Sequence, residues 1–306
     1  MNKFAIALFV NKNHKYIQEP DKKIIFNSPD EEEEVRVCLE KKFPLFYLVN
    51  PQGRIMVPHG SQNPYGGFDI TDTEGNIIPS LKGFTLLLRT SVHNIWNNLL
   101  TVENAGGTNL VSWEDQLQVE RWYNFVLPEF LKRKISVFPS AEFGEIIEKN
   151  LELITKHEQN EKVFLKSTHK GFPTCLANMR DREDQNEILC ALLSTSENSD
   201  IIVSDPINIE RDDTGRLEYR TFVVLGKVAN TSRYYSKDQL GEIPQAVTEY
   251  VQNFVIAHKD IFPHSYVLDV AIDSARGPII IEMNGINASG RYGKNNFEDI
   301  LNILKN

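Results

Sequence analysis

Two apolar segments, Tyr266–Val270 and Ile279–Met283, carry carboxylates where a strand tolerates them least, and this constrains the fold more than any other feature. Alternation along a strand puts Asp269 on the face opposite Leu268 and Val270, and puts Glu282 and Asn284 together on one face. The link Asp273-Ser274-Ala275-Arg276-Gly277 suits a hairpin turn at its Ala275-Arg276-Gly277 end, which would bring Asp269, Glu282 and Asn284 to a single point. Burying such charge without a partner is costly. A hard divalent cation such as Mg²⁺ takes a few oxygen ligands beside water or phosphate, and this trio supplies them. The plainer alternative is a solvated strand face marked by acids, against which the apolar neighbours argue.

The rest of the chain reads as a mixture of strands and helices with no repeat or long linker. Phe4–Val10 is a first strand, and Asp30–Lys42 is a charged stretch with Val35, Leu39 and Phe43 at helical spacing. Leu45–Val49 and Arg54–Val57 flank Asn50-Pro51-Gln52-Gly53 as a hairpin, and a loop from His59 to Asn76 precedes the strand Phe84–Leu88. Ala105–Asn109 is a second loop, with Leu110-Val111 a short strand after it. Ser112 and Asp115 make a helix start, Gln116–Leu127 the helix, and Pro128 its end, before a strand at Ile135–Phe138. Helices follow at Phe143–Lys156, Glu183–Ser194 and Ile243–Ala257, with strands at Val163–Ser167, Ile201–Val203, Glu218–Leu225 and Val228–Tyr234.

In this order the residues resemble the ATP-grasp superfamily. The Asp…Glu-x-Asn arrangement on paired strands, with thirteen residues from Asp269 to Glu282, is similar to that family's metal-binding signature. Val163-Phe164-Leu165-Lys166 resembles the strand whose lysine contacts nucleotide phosphates. Ile201–Asp205 resembles the hinge strand whose backbone reads adenine, and Leu217–Val224 the next strand, whose acidic residue meets the ribose. The match spans roughly 112–300. Its Glu-Tyr-Arg-x-Phe-Val-Val, Ser-Arg-Tyr and Glu-x-Asn…Ser-Gly-x-Tyr elements look closest to a divergent bacterial and phage clade. They are also similar to the eukaryotic translation-initiation-factor assembly chaperones of the same fold.

The resemblance implies an α+β fold in which two α+β lobes clasp ATP, preceded by an α/β lobe: residues 1–111 the N-terminal lobe, 112–200 the small lobe, and 201–306 the large lobe with the metal site. It implies ATP and Mg²⁺ as cofactors, with Asp269, Glu282 and Asn284 on the metal. Lys166, Val203, Ser204, Asp205 and Glu218 would contact the nucleotide, Lys166 at its phosphates. Arg220, Arg233 and Arg291 would act on phosphate, acyl phosphate or an anionic substrate. Each has a plainer reading: Lys166 as a strand-end lysine reaching water, Arg220 and Arg233 as cross-strand partners of carboxylates such as Glu218, Asp205 as part of an ordinary turn with Pro206, Arg291 as an exposed loop residue. Ser167–Gly171, with Lys170, reads either as a mobile phosphate loop or as an ordinary one. Two departures stand out. Many ATP-grasp ligases carry an arginine two residues before the metal aspartate, where this chain has Val267; and a second phosphate lysine is unplaced, with Arg121, Lys132 and Lys134 as candidates.

The implied activity is ligation of a small-molecule or peptide carboxylate to an amine or similar nucleophile through an acyl phosphate. The alternatives are an ATP-binding assembly or regulatory factor without ligase activity, and an ATP-dependent modifier of a protein or RNA. A net charge of −9 gives no global field for polyanions, so nucleic acid is not an expected partner. Three cysteines with no close pair, and seven histidines with no ligand pair, argue against a disulfide framework and a zinc knuckle and fit a reducing compartment. The apolar run before Asn11 is too short to cross a membrane, and no cleavage site follows it, so the cytoplasm is expected.

Overall fold

The structure, a computed structural model, describes residues 3–11, 29–50, 68–89, 95–111, 117–118, 120–149, 162–168, 174–179, 181–193, 199–234, 242–291 and 296–306. Three larger sheets carry it. The first, in the order β3-β2-β1-β4-β5, is built from β1 (Lys3–Asn11), β2 (Leu45–Asn50), β3 (Asp69–Thr71), β4 (Phe84–Arg89) and β5 (Thr108–Asn109). β1 pairs in parallel with both β2 and β4. A parallel strand buried on both faces needs a continuous apolar run. Ile6 and Leu8 accordingly face one apolar cluster, while Ala5, Ala7 and Phe9 face another. Helices α1 (Pro29–Glu40) and α2 (Ile95–Asn104) accompany this sheet.

The second sheet has the order β6-β9-β7-β8, from β6 (Ile135–Pro139), β7 (Lys162–Ser167), β8 (Cys175–Asn178) and β9 (Asp200–Ser204). Three helices lie between or before its strands: the one-turn α3 (Pro128–Leu131), α4 (Ser140–Lys149) and α5 (Arg182–Leu193). β9 pairs with both β6 and β7 through Ser204.

The third sheet, β13-β12-β14-β15, is fully antiparallel: β12 (Glu218–Val224), β13 (Lys227–Arg233), β14 (Tyr266–Asp273) and β15 (Gly277–Asn284). Its two faces are both covered. Tyr219, Leu268, Val270, Ile280 and Met283 pack under α6 (Gln245–Ala257), which presents Val247, Tyr250, Val251, Phe254 and Val255 at helical spacing. Phe222, Val224 and Val267 point the other way, into a cluster shared with Ile6, Leu8 and α7 (Phe297–Lys305). On α7, Phe297, Ile300, Leu301 and Leu304 are buried at an i, i+3, i+4, i+7 spacing. Each such side chain contributes about 1.5–3 kcal/mol when removed from water. A small hairpin, β10 (Arg211–Asp212) with β11 (Gly215–Arg216), lies between the second and third sheets in sequence.

Several local expectations change. Pro128 starts a helix instead of ending one: it occupies the first turn of α3, where a missing N–H costs nothing, and Trp122–Phe125 before it is a 3₁₀ turn. Leu39 is exposed, and α1 buries Glu34, Val35, Val37 and Cys38. β3 interrupts the loop expected from His59 to Asn76 and pairs antiparallel with β2. The short strand forms at Thr108–Asn109, not Leu110-Val111, and β8 is an addition to the expected elements. The turn between β12 and β13 is centred on Leu225 and Gly226, both at positive φ. Residues 54–57, 112–116 and 169–173 lie outside the described residues, so the expected hairpin partner, helix start and most of the phosphate loop, Lys170 included, do too.

Candidate nucleotide and metal site

Three strands of the third sheet place three charges in a row. Arg220 on β12 is the direct partner of Asp269 on β14, which is the direct partner of Glu282 on β15. Directly paired residues share a face, so the order across the sheet is cation, anion, anion. The Arg220 guanidinium grips Asp269 with a fork: Nε donates to Oδ1 at 2.8 Å and Nη2 to Oδ2 at 2.7 Å. Its remaining Nη1 donates to the Gly290 carbonyl at 2.9 Å, and the guanidinium lies 4.9 Å from the Tyr234 ring centre. Both side chains are buried. Burial raises the Asp269 carboxyl above its ordinary range, and the Arg220 hydrogen bonds pull against that rise. Val267 stands two residues before Asp269, and the arginine that meets Asp269 comes from the neighbouring strand.

Glu282 is met from the second sheet. Lys166, on β7, donates to Glu282 Oε1 at 2.7 Å across the space between the two sheets. The completed row runs Arg220, Asp269, Glu282, Lys166, with a cation at each end and two carboxylates between them. Asn284 pairs with Val267 and turns its amide toward Asp269, Nδ2 lying 3.5 Å from Oδ2. A register shift between Asp269 and Val270 leaves Ile281 as an extra residue, and its carbonyl accepts from Arg133 Nη2 at 2.7 Å. Arg133 also reaches Ser204 Oγ at 3.4 Å, so it bridges the end of β9 and β15. Arg133 lies between Lys132 and Lys134, the two residues of this run that the sequence offers for phosphate, and is not itself among the candidates.

Val203 and Ser204 are buried at the end of β9, beside that bridge. Asp205 closes a local ring with Lys134, accepting from its N–H at 2.9 Å and donating its own to the Lys134 carbonyl at 3.1 Å. Glu218 lies on the Arg220 face of β12, two residues away. Lys132 donates to the carbonyls of Arg276 and Pro278 at 3.1 and 2.9 Å, fixing the β14–β15 turn instead of standing in the charged row.

Two expected site residues are held elsewhere. Arg233 is engaged by the β10–β11 hairpin, with Asp212 taking Nη1 and Nη2 at 2.7 and 2.8 Å and the Gly215 and Arg216 carbonyls taking Nη2 at 3.0 Å each. Arg291 is not an exposed loop residue: it is buried against α1, donating to Glu34 Oε1 at 3.0 Å, Glu33 Oε2 at 3.2 Å and the Asp30 carbonyl at 2.9 Å. The structure therefore brings Lys166, Arg220, Asp269, Glu282 and Asn284 together and places Arg233 and Arg291 on other partners.

A family model described as an ATP-grasp domain, family 2 of its clade, matches residues 130–299, more than half of the chain. This chain is an ATP-grasp protein. Comparison with curated protein sequences gave no match. Among solved structures it is similar to a RimK domain ATP-grasp protein from Sphaerobacter thermophilus DSM 20745, at 12% identity and a TM-score of 0.56 over 98% of this chain and 97% of that one. It is similar also to the VanG D-Ala:D-Ser ligase of Enterococcus faecalis, at 13% identity and 0.56 over 100% and 99%. The ATP-grasp ligase PsnB, solved with a minimal precursor, Mg and ADP, aligns at 11% identity and 0.53 over 98% of each chain. At these identities the likeness is one of fold. Among the described residues no helix is long and apolar enough to cross a membrane.

In an ATP-grasp protein the charged row can be tested against the metal that the fold implies. Among the described residues no three or more His, Cys, Asp or Glu side chains gather as a metal cluster. The row offers two carboxylates and an amide, all oxygen donors. That fits Mg²⁺, which takes one or two protein carboxylates and completes its shell with phosphate and water, and it suits softer metals poorly.

Proposed function

We propose that this ATP-grasp protein is an ATP- and Mg²⁺-dependent ligase that joins a carboxylate to an amine or similar nucleophile. The observation that carries the reading is the row Arg220, Asp269, Glu282, Lys166, two carboxylates flanked by cations and drawn from two sheets that share no strand. Asp269, Glu282 and Asn284 would hold Mg²⁺, which supplies charge neutralisation on phosphate oxygens. Lys166 exchanges Glu282 for a nucleotide phosphate. Val203, Ser204 and Asp205 line the adenine side, and Glu218 meets the ribose. Arg220 stands beside the transferring phosphoryl group and offsets its developing charge.

In the first step a substrate carboxylate oxygen takes the γ-phosphoryl group, and the bond to the ADP oxygen breaks. In the second the amine attacks the acyl carbon, phosphate leaves, and the amine loses a proton. Residues 1–111 form the lobe that selects the substrate, with 112–200 and 201–306 the two lobes that enclose ATP. The carboxylate is that of a small molecule or peptide, and three cysteines outside any disulfide support a cytoplasmic setting.

The test is release of ADP and phosphate from Mg-ATP in the presence of a pool of amino acids, hydroxy acids and short peptides. Asp269→Asn or Glu282→Gln is expected to lower that release by about two to three orders of magnitude. Tight Mg-ATP binding with no ADP formed on any acceptor would mark an assembly or regulatory factor instead.

A further inference from the structure

The loop that follows the metal strand is held from the other end of the chain. Arg89, the last residue of β4, donates Nη2 to the Ser289 carbonyl at 2.8 Å and Nη1 to the Ile286 carbonyl. Asn287 donates to the Val111 carbonyl at 3.2 Å, and the Arg291 N–H to Asp30 Oδ2 at 2.7 Å. One carboxylate underlies most of this. Glu34 on α1, 1% exposed, accepts from Arg89 Nε and Nη2 at 3.1 and 3.0 Å and from Arg291 Nε at 3.0 Å. Gly290, between the two anchored residues, offers its carbonyl to Arg220, the arginine that grips Asp269. A continuous run of charge-assisted contacts thus leads from α1, through residues 285–291, to the metal row.

We infer that Glu34 is a positioning residue for the divalent-cation site, acting through Arg89, the 285–291 loop and Arg220. The inference rests on the metal reading proposed above. A single carboxylate facing two buried guanidinium groups fixes both in one arrangement: Arg89 sets Nε and Nη2 against it and aims Nη1 and Nη2 at the loop carbonyls, while Arg291 sets Nε on it and its Nη2 on Glu33 and the Asp30 carbonyl of α1. With the loop fixed, Gly290 holds the third corner of the Arg220 guanidinium, so the fork on Asp269 cannot pivot. The carboxylate that would ligate the metal then keeps its orientation. Outer partners of metal ligands commonly set affinity in this way, at a cost of about 10–100-fold when removed. The N-terminal lobe gains a direct hold on the site from which it is remote in sequence.

Two measurements on the full chain test this. In ligand-free protein, the Arg220 Nε–H resonance, assigned by its loss in Arg220→Lys, is expected to shift and broaden in Glu34→Gln. With a non-hydrolysable ATP analogue bound, Mn²⁺ affinity is expected to fall about ten-fold in Glu34→Gln, while binding of the analogue in EDTA stays as in the parent. The charge-balanced double variant Glu34→Gln/Arg89→Gln separates positioning from stability. It should regain thermal stability relative to Glu34→Gln and keep the weak Mn²⁺ binding, since Ser289 and Ile286 still lack their donor. If Glu34→Gln does not fold, Arg89→Lys, which keeps the charge and loses the fork, carries the same readings. An unchanged Arg220 resonance, or Mn²⁺ affinity restored in the double variant, overturns the inference. A parent protein that binds no ATP analogue sinks the nucleotide reading, and the resonance measurement still decides the linkage.

Discussion

Lys166 Nζ and Glu282 Oε1 are 2.7 Å apart although they belong to sheets with no strand in common. Both side chains keep about a third of their surface in water, 31% and 27%, so the pair contributes under ~1 kcal/mol to stability. Its importance is exchange: phosphate competes for the lysine and a metal ion for the carboxylate. Lys166→Ala is therefore expected to leave the melting temperature nearly unchanged while weakening ATP binding by about 10–100-fold. Glu282→Gln, which releases Lys166 from its carboxylate, should tighten ATP binding in EDTA by a few-fold and weaken it in excess Mg²⁺. Calorimetric titrations with and without Mg²⁺ check both signs, and equal changes in the two conditions would contradict the exchange.

Arg220 and Asp269 behave differently because both are buried. Removing one partner strands a charge, at a cost of about 3–5 kcal/mol. Arg220→Met is thus expected to be strongly destabilised, and Arg220→Met/Asp269→Asn to recover most of the loss. The pH dependence has a definite sign. Burial holds the folded Asp269 carboxyl above its unfolded value even with Arg220 beside it. Its contribution to stability is present below the unfolded carboxylate range and is lost as pH rises through the folded value. Without Arg220 the folded value rises further, so the fall in melting temperature of Arg220→Met relative to the parent should be smaller at pH 5 than at pH 8. An equal fall at both pH values would count against the burial argument.

His258 supplies a second pH effect, of opposite sign. Its Nδ1 lies 2.8 Å from the Phe254 carbonyl, which only accepts, and its Nε2 receives the Leu127 N–H at 3.0 Å. Both partners are satisfied only by the neutral ring protonated at Nδ1. Burial lowers the His258 value, against the pull of the Phe254 carbonyl. A base depressed on folding stabilises the protein above its unfolded value, near 6.5, and that contribution is lost as pH falls toward the folded one. Melting temperature should drop between pH 7.5 and 5, and His258→Gln should flatten this part of the curve.

The cysteines report on the shared core. Cys38 is fully buried on α1, and burial, aided by Glu34, pushes its thiol up to about 12. Cys190 is exposed on α5. A thiol reagent at pH 8 should modify Cys190 within minutes and Cys38 only as fast as the protein unfolds. Rapid labelling of Cys38 would mean that α1 and α7 separate readily.

What the sequence reveals follows from how local each signal is. Alternation within Tyr266–Val270 and Ile279–Asn284 is a property of a few adjacent residues, and it suffices to bring Asp269 and Glu282 to one face. The strands at Val163–Ser167, Ile201–Val203 and Glu218–Leu225, and the helix at Ile243–Ala257, are legible for the same reason. Partner choice is not local. Arg220 and Arg233 are both arginines on paired strands, yet one faces Asp269 and the other Asp212; only strand register and the β10–β11 hairpin, which no sequence pattern announces, separate them. Glu34 lies in a charged stretch where only Val35, Leu39 and Phe43 stand out, and its burial depends on arginines distant in sequence. Pro128 misleads because a proline is equally at home just inside a helix and just beyond one.

Ile6 and Leu8 pack in the same cluster as Phe297, Ile300, Leu301 and Leu304, residues at nearly the opposite end of the chain. On the ribosome, this apolar cluster therefore stays incomplete until α7 has been synthesised. Nascent chains stalled before residue 297 should be this protein's most aggregation-prone form.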